Sequence, residues 1–150
     1  MTLTPNTQTI EKLAKRILDA DVDVRTSVLI KAELIADAIE QLGEGYEQDL
    51  ADRISMTPTT LSRWKAIGSN EIIRKNKSAV PSGMTSLYAI TVLETSLDRN
   101  HGSGQGATRI QKMIDKEQLG SSTPRSFIEL KIKDQNDLTA KRKAKENEKR

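Results

Sequence analysis

Apolar side chains recur along much of this chain at steps of three and four, the spacing that places them on one face of a helix. Ile10, Leu13, Ala14, Ile17 and Leu18 form one such stripe, with Lys12, Lys15 and Arg16 facing away. The pattern predicts an amphipathic helix ending near Ala20. The acidic segment Asp19 to Asp23 then makes a connection and can cap a second helix, which runs from Thr26 to Leu42 before Gly43 stops it. Val28, Ala32, Ile35, Ile39 and Leu42 give this helix a seam at steps of 4, 3, 4 and 3. Such a seam serves a helix-packing core or a dimer interface, and three heptads or fewer favour the core within one chain.

The stretch YEQDLADRISMTPTTLSRWKAI, Tyr46 to Ile67, has a sharper pattern. Leu50, Ala51 and Ile54 share one helical face, and after a three-residue break Leu61 and Trp64 recur at helical spacing. The pattern predicts two short helices crossing steeply, with Ala51 permitting close approach, Met56 plugging the turn, and Leu61 and Trp64 pinning the second helix onto the first. Thr57 is suited to cap the second helix through its hydroxyl, and Pro58 sits at the first helical position, where its missing N–H costs nothing. Thr59, Ser62, Arg63 and Ala66 fall at i, i+3, i+4 and i+7 on the outward face, which could lie in a DNA major groove.

This stretch resembles the helix-turn-helix of repressors and other DNA-binding proteins. Where the family usually has glycine in a left-handed turn, this chain has Ser55, at a cost on the order of 1 kcal/mol. Where the family often has a phosphate-holding glutamine, it has Glu47, with Gln48 one step displaced. The resemblance implies that Thr57, Thr59, Ser62 and Arg63 meet base edges or adjacent phosphates, with Arg63 the best candidate for guanine, and that Lys65 and Gln48 are further DNA-binding candidates.

Beyond the motif, Ile72 and Ile73 stand among Arg74, Lys75 and Lys77, which suit either phosphates flanking a groove or a solvated helix end. Pro81 and Ser82 announce another helix, with Met84, Leu87, Ile90, Leu93 and Leu97 on its apolar side. This order, a helix-turn-helix followed by a helix marked by Pro81, Ser82, Leu87 and Tyr88, resembles DNA-binding proteins of phages and plasmids and loosely the central DNA-binding region of ParB-like proteins. It covers roughly Leu42 to Ile132, and no ParB-type nucleotide-binding region accompanies it. Asn100 to Gly106, NHGSGQG, lacks the Gly-Lys-Ser/Thr ending of a P-loop and is expected to be a flexible connector, with His101 exposed and inert. Ala107 to Leu119 is expected to be helical, with Ile110, Met113 and Ile114 inward. After Ser122 the signals conflict, because Pro124 favours a helix start while Ile128, Leu130 and Ile132 alternate as a strand would; helix is the preferred reading. Thr139 to Arg150 has six basic residues, two acidic ones and no apolar side chain larger than alanine, which predicts a disordered or frayed basic tail.

The expected organisation is therefore all-α. It comprises N-terminal helices and a helix-turn-helix core over 1–98, a flexible glycine-rich loop over 99–106, C-terminal helices over 107–133 and a basic disordered tail over 134–150. Aromatics are 3% of the 150 residues, so the core must be aliphatic, which suits packed helices. There is no cysteine and a single histidine, so thiolate metal sites and disulfides are excluded. No apolar run approaches a membrane span, and the start of the chain lacks the apolar core of a signal peptide, so a cytoplasmic location is expected. The formal charge of +3 is unevenly spread. Through Met56 there are 6 Lys and Arg against 11 Asp and Glu, and from Thr57 onward 18 against 10, as a polyanionic partner on one face would favour.

The expected function is sequence-specific binding of double-stranded DNA, as a transcriptional regulator or a replication or partition accessory factor of a phage or plasmid. One recognition helix covers only a few base pairs, so a homodimer on a two-fold site is expected. The alternative is a phage small-terminase-like or adaptor protein that uses its helices for assembly, with Thr26 to Leu42 as its only ring-forming segment. No catalytic constellation, metal site, cofactor or small-molecule substrate is indicated, and an enzyme is not expected.

Overall fold

The computed structural model describes residues 5–22 and 27–148, and within them the chain is all-helical. It divides into two compact units, 1–74 and 75–150. That boundary replaces the expected one after residue 98: the helix marked by Pro81 and Leu87 belongs with the C-terminal helices rather than with the helix-turn-helix.

In the first unit α1 spans Pro5–Val22 and α2 spans Val28–Leu42. Ile10, Leu13, Ala14 and Ile17 are buried as their spacing requires, whereas Leu18, at the edge of the stripe, is 41% exposed. The connection 23–26, including the expected helix start at Thr26, lies outside the described residues. The cap of α2 is Ser27, whose hydroxyl accepts from the Ile30 N–H at 3.2 Å. Ala32, Ile35 and Ile39 are buried within the unit, so the middle of the α2 seam is core, while Val28 and Leu42 at its ends are half-buried.

The short helix α3, Glu47–Arg53, is followed by α4, Pro58–Gly68. α4 packs on α3 and, more extensively, along α2. The reason is Gly68. A Cβ built there would lie 2.0 Å from the Ala32 carbonyl oxygen and 2.9 Å from the Ala36 Cβ, so only glycine lets the two backbones come this close. Trp64, buried beside Leu61, lies beneath the Lys31 ammonium of α2, 4.6 Å from the ring centroid. α5, Glu71–Lys75, starts at buried Asn70, whose Oδ1 accepts from the Ile73 N–H at 3.0 Å.

In the second unit α6 spans Met84–His101, α7 Gln105–Asp115 and α8 Arg125–Glu148. Leu87, Ile90, Leu93 and Leu97 are buried on α6, Ile110 and Ile114 on α7, and Ile128 on α8. The stretch after Ser122 is thus helix, because one buried residue, Ile128, and the packing of α8 on α6 decide against the alternation.

The expected flexible loop over 99–106 is instead a tight corner, since α6 continues to His101 and α7 begins at Gln105. Gly102 and Gly104 take positive φ, 109° and 83°, and the Asp98 carboxylate accepts the Gly106 N–H at 2.7 Å. Gly106 is a contact residue, not a hinge: a Cβ there would sit 2.3 Å from the Glu94 carbonyl oxygen. The expected disordered tail over 134–150 is, as far as Glu148, the continuation of α8. Its Thr139 hydroxyl donates to Asn100 Oδ1 at 2.9 Å, and Arg142 donates to the Arg99 carbonyl at 3.2 Å and to Asn100 Oδ1 at 3.0 Å. Polar contacts and helix-favouring Ala, Lys, Arg and Glu extend the helix where apolar burial ends.

Candidate nucleic-acid interface

The helix-turn-helix geometry begins at the end of α3. Ser55 has φ 57°, the left-handed conformation for which glycine is usual. The Met56 N–H donates to the Ala51 carbonyl at 2.9 Å and the Ser55 N–H to the Asp52 carbonyl at 3.3 Å. These two bonds form a Schellman motif, which satisfies the last carbonyls of α3 and reverses the chain. Ala51, fully buried, and half-buried Met56 are the small and apolar partners that close the turn.

Thr57 then caps α4. Its hydroxyl accepts from the Thr60 N–H at 3.2 Å and donates to the Thr60 hydroxyl at 3.0 Å, with Pro58 at the first turn. The hydroxyl is therefore occupied in fixing the helix start, which makes Thr57 a positioning residue for the outward face of α4. Thr59, Ser62 and Arg63 are exposed and lie on one side of α4 at i, i+3 and i+4; Ala66, at i+7, is half-buried.

The other two candidates are engaged with acidic side chains of α3. Lys65 Nζ is 3.2 Å from Glu47 Oε1, and the Gln48 amide donates to Asp52 Oδ1 at 2.8 Å. Both contacts are exposed, so each costs little to exchange for a phosphate. Arg53 pairs with Glu11 of α1 at 3.2 Å. Arg74 donates through Nε to the Gly68 carbonyl and through Nη2 to Asp37 at 3.1 Å, which makes it a clamp on the end of α4. Sequence reasoning missed both Gly68 and the clamping role of Arg74, because each acts across helices that are distant along the chain.

Among the described residues no group of three or more His, Cys, Asp or Glu is placed to hold a metal ion. No helix among them is long and apolar enough to cross a membrane. Comparison with models of known protein families, with curated proteins and with solved structures finds no match to this chain.

Proposed function

We propose that the protein binds double-stranded DNA in a sequence-specific way, with α4 in the major groove. The observation that carries this reading is the face made by Thr59, Ser62 and Arg63, exposed on a helix whose start is fixed by Thr57 and whose far end is fixed by Gly68 and Arg74. Two short polar side chains beside one arginine suit a groove floor: the hydroxyls approach base edges or phosphates closely, and the guanidinium spans the two acceptors of guanine. Rigid support at both ends matters, because a side chain reads a base only if the helix carrying it cannot swing. Lys65 and Gln48 flank this face and would exchange their carboxylate partners for phosphates.

In this reading the protein is a cytoplasmic, non-catalytic regulator of transcription, or an accessory factor in replication or partition of a phage or plasmid, and it acts as a homodimer on a two-fold site. The assembly-protein alternative needs the α2 seam for ring formation, and the burial of Ala32, Ile35 and Ile39 in their own unit favours the DNA-binding reading over it. Selection of bound fragments from random duplex DNA tests the proposal. Enrichment of a short motif with two-fold symmetry is the expected result. Binding without enrichment, or no binding at low salt, would overturn it.

A further inference from the structure

In the second unit α7 and α8 both pack on α6 but hardly on each other, and they leave a cleft of about 340 Å³ between them. Its floor is apolar, from Leu93 and Leu97 of α6 and Met113 of α7. Its walls are cationic. Arg109, Lys112 and Lys116 fall at i, i+3 and i+7 along α7 and its C-terminal cap, and Lys131 lines the cleft from α8, with its ammonium 5.3 Å from the centroid of the Phe127 ring on the same helix. No Asp or Glu lines the cleft, and no ion pair within 4 Å reaches any of these four cations among the described residues. Four like charges gathered round one cavity repel one another, and an anion placed among them removes that repulsion. Charges at the C-terminal end of α7 also complement its dipole, but that accounts for Lys112 and Lys116 alone.

The remaining chemistry narrows the class of anion. An arginine fork beside three lysine point charges suits phosphate groups, and four cations match the charge of a diphosphate better than that of a monocarboxylate. The apolar floor suits a flat ring. At the cleft wall Gln135 is held by Asn100, whose Nδ2 donates to the Gln135 carbonyl at 2.8 Å and to its Oε1 at 3.0 Å, which leaves the Gln135 amide N–H groups to donate to a ring acceptor. The cavity lies at the lower end of the range of small-molecule sites, roughly 300–1,000 Å³, and is far too small to admit a duplex. We propose that this cleft is a binding site for a nucleoside diphosphate, with the phosphates among Arg109, Lys112, Lys116 and Lys131 and the base over Leu93 and Leu97. The site is independent of the DNA-binding reading: it lies in the other unit and shares no residue with the α4 face.

The test is titration of the full-length, isotopically labelled chain with purine and pyrimidine nucleoside diphosphates, followed by amide chemical shifts and calorimetry, with pyrophosphate, adenosine and a short DNA duplex as separate probes. At least one nucleoside diphosphate should saturate, with shifts confined to α7 and to α8 around Lys131 and Gln135. Pyrophosphate and adenosine should each bind more weakly by about tenfold or more, since each keeps only part of the contacts. Lys112→Gln with Lys131→Gln should lower affinity by about tenfold or more at unchanged helicity, and Lys15→Gln, in the other unit, should leave it unchanged. Absence of saturable binding at millimolar nucleotide would overturn the proposal. So would pyrophosphate binding as tightly as the nucleotide, which would mean an adventitious anion site only. Shifts of these residues with duplex DNA but not with nucleotide would also overturn it, and would assign the cations to a phosphate backbone.

Discussion

The two units are built alike and charged oppositely. The first, 1–74, carries nine Lys and Arg against twelve Asp and Glu, a balance of −3; the second, 75–150, carries fifteen against nine, or +6, and the two recover the total of +3. Each has a helix that crosses a neighbour at a glycine, Gly68 over Ala32 and Gly106 over Glu94. Each also has a helix that ends in a Schellman motif with a non-glycine residue in the left-handed conformation. Ser55 follows α3, and Glu117 follows α7, where the Gln118 and Glu117 N–H groups donate to the Met113 and Ile114 carbonyls at 2.8 and 3.0 Å. On the DNA-binding reading proposed above, shared construction with opposed charge would separate two tasks: the acidic unit would hold the base-reading face while repelling a polyanion at long range, and the basic unit would attract phosphate without a pattern of base-reading side chains.

Removing Trp64 should have the largest effect. It is the single tryptophan, it is buried, and it belongs to the first unit alone. Trp64→Ala should cost that unit about 3 to 5 kcal/mol. Thermal unfolding followed by circular dichroism should then show an early transition for the first unit, with the second unit's helices melting as before. A single transition moved as a whole would show that the two units unfold as one.

The glycine pair sharpens the same comparison. Gly68→Ala and Gly106→Ala each drive a methyl group into a backbone carbonyl that cannot move aside, at a cost of about 3 kcal/mol. Gly68→Ala should shift tryptophan fluorescence toward longer wavelength at temperatures where Gly106→Ala leaves it unchanged. Equal stability of either variant and the parent would contradict the close approach described above.

Arg63→Ala probes function within the acidic unit. It should lose about 1 to 3 kcal/mol for a selected site and almost nothing for unrelated DNA, as measured by competition binding. Joint replacement of Lys141, Lys143 and Lys145 by Gln probes the basic unit and should show the opposite behaviour: a modest weakening on all sequences and a flatter dependence on salt. If Arg63→Ala weakens both kinds of DNA equally, the division of tasks between the units is wrong.

The smallest expected effect is a gain. Ser55→Gly and Glu117→Gly relieve the left-handed backbone and should each stabilise their own unit by up to about 1 kcal/mol, seen as a higher midpoint in denaturant.

Local chemistry was legible in the sequence and cross-chain chemistry was not. The cap at Thr57, the proline at Pro58 and the left-handed turn at Ser55 all depend on residues within four positions of one another; the first two are found where the spacing placed them, and the third where the helix-turn-helix resemblance implied it. That α4 leans on α2 depends on Gly68 meeting Ala32, and no periodicity records which of two apolar faces will meet. Lys65 and Gln48 entered as candidates through the helix-turn-helix resemblance; their acidic partners, Glu47 and Asp52, were visible, but the approach of α3 to α4 that brings Glu47 to Lys65 was not. Glycines at 102 and 104 turn the chain, as glycines in a loop are expected to, while Gly106 has the same letter and a packing role. The run of Arg109, Lys112 and Lys116 was present as a helical stripe, yet only its convergence with Lys131 from α8 makes it a site.

The length of α8 has one further consequence. Arg142 makes the last hydrogen bonds from this helix to α6 among the described residues, and the six residues beyond it are far too few to offset the cost of helix nucleation in water. Those last turns inherit their order from upstream, where Ile128 is buried and Thr139 and Arg142 are bonded to Asn100 and Arg99. The positive charge of Lys143 and Lys145 is thus carried at the end of a rod roughly 36 Å long rather than in a diffuse cloud. A proline placed at Asp137 would cut the propagation and release that charge to sweep a volume instead of holding one direction.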